Sequence, residues 1–256
     1  MSWNPKQYLK FEQPRLRPAL DLAARIEAAA PRTVWDLGCG TGSLTRLLAA
    51  RWPQARVTGV DGSADMLARA AEDGTPVNVV WQQADLTDWV PAEPADVIFS
   101  NAALQWISDH ALLLPRLFAL LAPGGVMAVQ MPRNYAAASH RLVADTIEDS
   151  PFRERLEPLL RGNPVAEPAW YYDLLASAAS RLDIWETEYL QVLSGPDPVK
   201  EWTKGTALAP FLAALAPDEA ARFEADYAAR LRIAYPMRAD GTTLFPFRRL
   251  FIVAVR

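Results

Sequence analysis

The sequence predicts an α/β fold in which a mostly parallel sheet is covered by helices on both faces. Between residues 31 and 132, short apolar runs alternate with longer segments of helical period, which is typical of successive βαβ units. The short runs show little polar alternation, as expected of strands that are buried on both faces. A chain of 256 residues with 51% hydrophobic composition is long enough to bury such a core.

Seven runs predict strands because they are rich in β-branched, aromatic and other apolar residues. The first five alternate with the helical segments and cover residues 33–37, 56–60, 77–81, 96–100 and 126–130. Two later runs, 182–192 and 244–255, have a similar composition. Together they predict a seven-stranded sheet.

Apolar stripes at helical spacing predict the helices that cover this sheet. The first follows Pro18, a residue favoured in the first turn of a helix. The predicted core-facing stripes are Ala19, Leu22, Ala23, Ile26 and Ala30; Leu44, Leu47, Leu48 and Trp52; and Met66, Leu67, Ala70 and Ala71.

Helical segments at 137–160, 170–180 and 196–236 interrupt the alternation after residue 132. We interpret them as insertions around one core rather than as a second domain. The sequence therefore predicts a single domain over residues 1–256, with helical cap insertions formed by residues 1–18, 135–181 and 194–243.

Composition and charge argue against several classes of function. Two histidines and one cysteine, without CxxC or HxxxH spacing, provide too few ligands to predict a metal site. The net charge is −4 and the basic residues are scattered, so we expect no nucleic acid partner. The N-terminal residues lack the features of a secretory signal, and no apolar stretch is long enough to span a bilayer. We therefore expect a cytoplasmic protein without a membrane partner.

A glycine-rich turn follows the first predicted strand. Residues 38–42 read Gly-Cys-Gly-Thr-Gly, and open α/β sheets bind ligands at such a strand-to-helix turn. The dinucleotide fingerprint GxGxxG would place its third glycine at position 43, where this chain has Ser43. The spacing therefore disfavours an NAD-dependent enzyme. Cys39 is interpreted as a packing residue rather than a nucleophile.

Three carboxylates, Asp36, Asp61 and Asp85, stand at or just after the ends of three successive predicted strands. The carboxyl ends of parallel strands share one edge of a sheet, so we expect these residues to line one crevice. Asp61 follows the glycines by about 20 residues, a spacing suited to binding ribose hydroxyls. Such an edge favours a cationic, hydroxyl-rich ligand and disfavours a pyrophosphate.

Residues 34–42, together with Asp61 and Ala84-Asp85-Leu86, resemble the first motifs of the class I (Rossmann-like) AdoMet-dependent methyltransferases. The resemblance implies the class I methyltransferase fold and S-adenosyl-L-methionine (AdoMet) as methyl donor. It places Asp36 and Gly38 at the methionine end, Asp61 at the ribose, Asp85 at the adenine amino group, and residues 101–103 beside the sulfonium. The cofactor-binding residues that it predicts are Tyr8, Asp36, Gly38, Gly40, Asp61, Met66, Asp85, Leu86, Asn101, Ala102 and Trp106.

A narrower resemblance, to the trans-aconitate 2-methyltransferases, covers nearly the whole chain. It rests mainly on the blocks at 3–5, 8–12, 15–19, 101–106, 130–134, 201–206 and 240–251. Gln13-Pro14 departs from the family pattern, which puts the geometry of Arg15 in doubt. The resemblance implies carboxyl O-methylation of trans-aconitate to its monomethyl ester.

This chemistry requires positioning rather than a catalytic base. A carboxylate with a pKa near about 4 is ionised at neutral pH and can attack the methyl group directly. Holding a trianion calls for cationic side chains, and arginine matches carboxylates with its planar fork. We predict Arg15, Arg17, Arg133 and Trp3 as substrate-binding residues, with Lys204 and Arg238 as further candidates.

Two aromatic clusters and two histidines have alternative interpretations. Trp3, Tyr8 and Phe11 are candidates for a lid over the cofactor, and residues 170–172 (Trp-Tyr-Tyr) either wall the substrate cavity or pack ordinarily. We interpret His110 and His140 as structural because the reaction needs no histidine.

Other functions remain open at this point. A methyltransferase of another small acid, including an acyl-carrier-bound malonyl group, shares the same features. A phenol or amine acceptor would need a base and fewer arginines. A non-catalytic AdoMet sensor would keep the glycine turn but fill the acceptor cavity. The oligomeric state is not predicted.

Overall fold

A computed structural model describes the backbone of residues 12–256 and the side chains of residues 16–256. Within this part, seven strands form one sheet in the order β3-β2-β1-β4-β5-β7-β6. The strands are β1 (Thr33–Leu37), β2 (Arg56–Asp61), β3 (Val79–Gln83), β4 (Ala95–Asn101), β5 (Leu121–Pro132), β6 (Arg181–Ser194) and β7 (Thr242–Val255).

Helices connect or flank these strands. They are α1 (Glu12–Ala24), α2 (Ser43–Arg51), α3 (Ala64–Glu72), α4 (His110–Ala119), α5 (Ala138–Glu148), α6 (Arg153–Leu156), α7 (Pro168–Leu175), α8 (Pro198–Lys204), α9 (Ala209–Ala213) and α10 (Pro217–Ala234). Short 3₁₀ turns occur at Leu104–Trp106 and Glu157–Leu159.

Strands β1 to β5 are parallel, whereas β7 runs antiparallel to β5. Asp36 of β1 lies opposite Gly59 of β2, and Asp61 lies opposite Gln83 of β3. The carboxyl ends of the first five strands therefore meet at one edge, where an open α/β sheet binds its ligand. The predicted seven-stranded, mostly parallel sheet is confirmed.

The predicted third strand was placed two residues too early. Strand β3 begins at Val79 rather than Val77, and Val77 is fully exposed. The side-chain amide of Asn78 donates to the carbonyl oxygens of Ala49, Trp52 and Ala55 at 3.1–3.3 Å. These bonds fix residue 78 in the connection, so the strand starts after it.

The helical stripes also need correction. Helix α1 begins at Glu12, so Pro18 lies inside it and Pro14 occupies its first turn. Leu47 is 43% exposed, and the buried side chains of α2 are instead those of Thr45, Leu48 and Ala49. The stripe is displaced because Thr45 turns inward to hydrogen-bond a buried carboxylate. Of the other predicted core positions, Ala30 and Ala71 are exposed.

The chain divides into two compact units. The first, here called the sheet unit, contains residues 17–132, 164–187 and 249–256. Its largest core cluster combines residues of β1, β4, β5 and β7 with α4 and α7, and Tyr171 of α7 is fully buried in it. Ordinary packing therefore accounts for Tyr171.

The second, here called the helical unit, contains residues 133–163 and 188–248. Its core contains several aromatic residues: Phe223 and Tyr227 of α10 are buried with Trp202 of α8. The rings of Trp202 and Phe245 lie edge-on, 5.9 Å between centroids. Both units thus have hydrophobic cores of their own, and the predicted cap boundaries stay a prediction.

Candidate active site

The glycine turn after β1 is anchored on the neighbouring strand. The backbone N–H groups of Gly38 and Cys39 both donate to the carbonyl oxygen of Val60, at 2.8 and 3.0 Å. Gly38, Gly40 and Gly42 all have positive φ angles, between 55° and 77°, which residues with a Cβ rarely adopt. The local sequence therefore specifies the turn at each of its three glycines.

These glycines have different surroundings. A Cβ on Gly38 would stand 2.2 Å from the Cβ of Ala103, and one on Gly42 would stand 2.3 Å from the ring of Trp81. A Cβ on Gly40 would meet nothing within 4 Å. Gly38 and Gly42 thus permit close packing inside the protein, whereas Gly40 faces open space in which a ligand can approach the backbone.

Asp61 connects the end of β2 to this turn. Its Oδ2 accepts a hydrogen bond from the N–H of Gly40 at 2.8 Å, and its Oδ1 accepts one from the N–H of Ser63 at 2.9 Å. Each carboxylate oxygen can accept a further bond. The carboxylate therefore fixes the turn and retains capacity for the hydroxyl groups of a ligand.

The sequence predicts that Asp36 lines an open crevice, but the structure buries this side chain. It is 1% exposed, and its Oδ2 accepts a hydrogen bond from Thr45 Oγ1 at 2.6 Å. Burial raises the pKa of Asp36 to about 7; the Thr45 bond opposes this rise and the charge of Asp61 adds to it. The carboxyl group therefore titrates near neutral pH beneath the glycine turn.

Cys39 lies in the same turn and has the character of a packing residue. Burial, followed by the charges of Asp36 and Asp61, raises the pKa of its thiol. The thiolate is the nucleophilic form of cysteine, and these surroundings disfavour it at Cys39. The predicted packing interpretation agrees with this environment.

Asp85 lies in the loop after β3 and is exposed. Its Oδ1 accepts hydrogen bonds from the N–H and the hydroxyl of Thr87, at 2.9 and 2.8 Å. These bonds lower the pKa of the Asp85 carboxyl. They hold the side chain in an Asx turn as an ionised acceptor at the same sheet edge as Asp61.

The chain leaves β4 through a strained residue. Ala102 has a φ of 54°, and such backbone is often held in place at functional sites. Its N–H donates to the carbonyl oxygen of Gln130 at 2.9 Å, and its carbonyl accepts from the side-chain amide of Gln105 at 2.7 Å. In the described part of the chain, the buried Oδ1 of Asn101 and Oε1 of Gln105 have no hydrogen-bond partner.

The structure places the described cofactor candidates together at one end of the sheet unit. They lie on β1, β2 and β4, on the connections after β1, β3 and β4, and on α3. Met66 is half-buried near the start of α3, Leu86 is buried, and Trp106 is 48% exposed. Tyr8 lies outside the described residues, as do Trp3 and Phe11.

The predicted substrate-binding residues differ in their burial and pairing, and some lie outside the described side chains. The side chain of Arg15 is not among those described. Arg17 lies on α1 with its side chain 74% exposed, 3.9 Å from Asp21, and Arg133 is half-buried in the helical unit. Lys204 pairs with Glu224 at 2.6 Å, and Arg238 is exposed. Their roles stay predictions.

Sequence reasoning missed Trp81 of β3. Its ring lies against Gly42 and also against Gly59, and its indole N–H donates to Thr75 Oγ1 at 2.8 Å. A glycine inside a strand indicates close approach by a neighbour. Gly59, which is the register partner of Trp81, was therefore the available signal.

A second omission is the pair Gln130 and Arg249, on β5 and β7. Both side chains are buried, and Nη1 of Arg249 lies 3.2 Å from Oε1 of Gln130. A buried guanidinium is unusual. Neither residue was singled out in the sequence, because the contact joins two strands that are 119 residues apart in the chain.

The two histidines have structural contacts. His110 begins α4, with Nδ1 2.7 Å from the Tyr171 hydroxyl and Nε2 2.9 Å from the Leu104 carbonyl oxygen. His140 lies in the helical unit, where burial lowers its pKa to about 4. Both arrangements favour the predicted structural interpretation.

The described residues contain neither a metal-ligand cluster nor a membrane-spanning helix. No group of three or more His, Cys, Asp or Glu side chains in residues 16–256 is arranged to hold a metal ion. Within the described helices, none has the length and apolar character required to cross a membrane.

Comparisons with known proteins agree with this geometry. Residues 34–125 match a family model described as a methyltransferase domain. Among solved structures, the chain resembles the YcgJ protein of Bacillus subtilis (TM-score 0.59, 17% identity, 94% of this chain and 98% of that one). It also resembles a phosphoethanolamine N-methyltransferase of Haemonchus contortus (TM-score 0.56, 19% identity, 94% and 52%). These similarities show the fold alone.

Curated relatives show the family. A trans-aconitate 2-methyltransferase of Azoarcus sp. (strain BH72) is 52% identical over 100% of this chain and 99% of its own length. Proteins with the same name from Rhodopseudomonas palustris (strain BisB18; 46% identity, 99% of each chain) and Streptomyces avermitilis (45% identity, 99% and 96%) are also similar. The chain therefore belongs to the trans-aconitate 2-methyltransferase family.

Proposed function

We propose that the protein transfers a methyl group from AdoMet to a carboxylate of trans-aconitate and forms a monomethyl ester. The observation that carries this proposal is the identity of 52% over the full chain with a trans-aconitate 2-methyltransferase. The sheet-edge geometry supports the donor.

The residues at the sheet edge fit AdoMet. Gly40 offers backbone next to open space, and Asp61 stands beside it with acceptor capacity for ribose hydroxyls. The unpartnered buried Oδ1 of Asn101, in the described part of the chain, provides a further acceptor. Glycine backbone, carboxylates and an amide oxygen form a donor and acceptor set suited to a cationic nucleoside without phosphate.

When bound, AdoMet supplies an electrophilic methyl group on a sulfonium. The residues of the chain then have to bind the acceptor, orient one carboxylate oxygen in line with the methyl–sulfur bond, and exclude water. Orientation of this kind contributes about 7 kcal/mol or more to catalysis. No residue needs to remove a proton, because the attacking carboxylate is already ionised at neutral pH.

The electrostatics of the edge suit a methyl donor that loses its charge. Asp61 and Asp85 carry negative charge near the proposed donor, and Asp36 ionises near pH 7. They attract the cationic donor and hold the neutral product less strongly. The same charges repel a trianion, so the acceptor requires cationic residues elsewhere in its pocket.

The test is transfer of a labelled methyl group from AdoMet to a panel of acceptors at equal concentration. The panel contains trans-aconitate, cis-aconitate, citrate, a malonyl thioester, a catechol and a primary amine. We expect selective labelling of trans-aconitate. Labelling of another acid would retain the donor but reject the acceptor, and binding of AdoMet without labelling of any acceptor would indicate a sensor.

Two further properties belong to the same proposal. Residues 1–18, 135–181 and 194–243 are proposed to form the helical cap that closes over the acceptor. Limited proteolysis with and without S-adenosylhomocysteine plus trans-aconitate tests the cap, since closure should protect the connections within these ranges.

The enzyme is also proposed to act in the cytoplasm on a free small molecule, without nucleic acid.

A further inference from the structure

Arg249 has an unusual environment for a charged side chain. It is 4% exposed, and it is the one buried arginine among the side chains of residues 16–256. Its Nη1 donates to Oε1 of Gln130 at 3.2 Å. Burying a guanidinium costs free energy unless polar partners compensate, and Gln130 is one such partner.

Gln130 orients this guanidinium and leaves its own donor available. The side chain of Gln130 is fully buried. Its Oε1 accepts the bond from Arg249, while its Nε2 has no hydrogen-bond partner within the described residues. An unsatisfied buried amide N–H group carries a desolvation cost. A ligand oxygen at this position would remove that cost.

The pair lies beside the part of the site assigned to the reacting end. Gln130 is the register partner of Asn101 across β4 and β5, and its carbonyl oxygen accepts the N–H of the strained Ala102. Asn101 and Ala102 are the residues that the family resemblance places beside the sulfonium. A ligand bound by Gln130 and Arg249 would therefore be next to the donor.

The surroundings strengthen electrostatic attraction at this point. Met131 and Leu250 belong to the large core cluster on one face of the sheet, and neighbouring residues in a strand alternate between faces. On the other face, Phe251 is the register partner of Gln130 and stacks on Trp185 with 4.8 Å between ring centroids. In such apolar surroundings a charge interacts more strongly than in water.

We propose that Arg249 and Gln130 bind a carboxylate of the acceptor that is not methylated. The guanidinium fork matches the two oxygens of a carboxylate, and the amide N–H of Gln130 supplies an additional donor. This inference rests on the proposed function, because it assumes a polycarboxylate acceptor. It gives the site a cation that offsets repulsion between the acceptor and the acidic edge at Asp61.

The test measures binding of tricarballylate, a saturated tricarboxylate that resembles the acceptor, to protein saturated with S-adenosylhomocysteine. Arg249→Lys keeps the charge but removes the fork. We expect it to weaken tricarballylate binding by about tenfold or more and to raise KM for trans-aconitate similarly. Affinity for S-adenosylhomocysteine should change by less than about twofold.

Gln130→Glu is the second variant. Its carboxylate would pair with Arg249 and compete with the acceptor, so we expect the same loss of tricarballylate binding. The internal pair should also keep the variant folded. Thermal unfolding of each variant confirms folding, and Gln130→Glu decides the matter if Arg249→Lys does not fold. Arg248→Lys is the matched control, since the side chain of Arg248 is 49% exposed and lies 3.6 Å from Glu188.

Two outcomes would overturn the proposal. Unchanged tricarballylate binding in folded Arg249→Lys or Gln130→Glu would show that the pair is structural. Weaker binding of S-adenosylhomocysteine with unchanged tricarballylate binding would assign Arg249 to the methionine carboxylate of the donor. Turnover of trans-aconitate by the wild-type protein tests the proposed function separately, so the two failures are distinguishable.

Discussion

The Oδ2 atom of Asp61 lies 2.8 Å from the backbone nitrogen of Gly40 and accepts its hydrogen bond. One carboxylate thus fixes the glycine turn and stands at the proposed ribose position. Asp61→Ala should therefore weaken AdoMet binding by about tenfold or more, measured by calorimetry. Asp73→Asn, at the exposed end of α3, is the control, and unchanged affinity in Asp61→Ala would mean that the ribose lies elsewhere.

Gly40 and Gly42 should respond differently to alanine. Gly42→Ala places a Cβ 2.3 Å from the Trp81 ring at a φ of 75°, so we expect a loss of about 2–4 kcal/mol in the free energy of unfolding. Gly40→Ala meets nothing within 4 Å and should cost about 1–2 kcal/mol, the cost of its left-handed backbone.

Gly40→Ala should nevertheless reduce the free energy of AdoMet binding by more than it reduces the free energy of unfolding, because the added methyl group enters the space of the ligand. Urea unfolding and calorimetry on both variants provide the comparison. Equal losses of stability, or normal AdoMet affinity in Gly40→Ala, would contradict the assignment of Gly40 to the ligand surface.

Asp36 should make stability depend on pH. Burial raises its pKa from 3.8 to about 7, so the folded state holds a proton that the unfolded state has released. The stability contributed by this proton is fully present below about pH 4 and is lost as pH rises through about 7. Asp36→Asn should therefore gain stability relative to wild type with rising pH, by as much as about 4 kcal/mol.

Urea unfolding of both proteins between about pH 4 and pH 8 measures this difference. Thr45 can still donate its hydroxyl to the asparagine oxygen, so the variant retains the bond. Parallel stability curves for the two proteins would show that Asp36 titrates normally.

AdoMet binding by the wild-type protein should also tighten as the pH rises from about 5.5 to 7, because a cation favours the ionised carboxyl group of Asp36.

His140 should have the opposite pH dependence, in the helical unit. Burial lowers its pKa from 6.5 to about 4, so as the pH falls the unfolded state binds a proton before the folded state does. Its contribution to stability is present above about pH 6.5 and is lost as pH falls through about 4. His140→Gln should therefore resist acid unfolding better than wild type, followed by circular dichroism. An unchanged midpoint of the acid transition would show that His140 is accessible to protons in the fold.

The sequence was sufficient for most of the sheet and for the glycine turn because both depend on local patterns. Strand β1 occupies the predicted residues 33–37, and the three glycines adopt the conformations that glycine alone accepts readily. Errors arose where a polar residue packs inward. Thr45 displaced the stripe of α2 by its bond to Asp36, and Asn78 delayed the start of β3.

The acceptor side was harder to predict because it depends on pairing between distant strands. Gln130 and Arg249 are 119 residues apart in the sequence, and their contact follows from the antiparallel register of β5 and β7. Single-sequence reasoning selects arginines by their proximity to motifs, which favoured Arg15, Arg17 and Arg133. Burial, which distinguishes Arg249 from the other described arginines, becomes visible in the structure.

The most direct measurement is the covalent identity of the product formed from AdoMet and trans-aconitate. Mass spectrometry and NMR should show one methyl ester per molecule, formed in equal amount with S-adenosylhomocysteine and cleaved by mild base. A product methylated on carbon, or release of S-adenosylhomocysteine without an ester of trans-aconitate, would contradict the account.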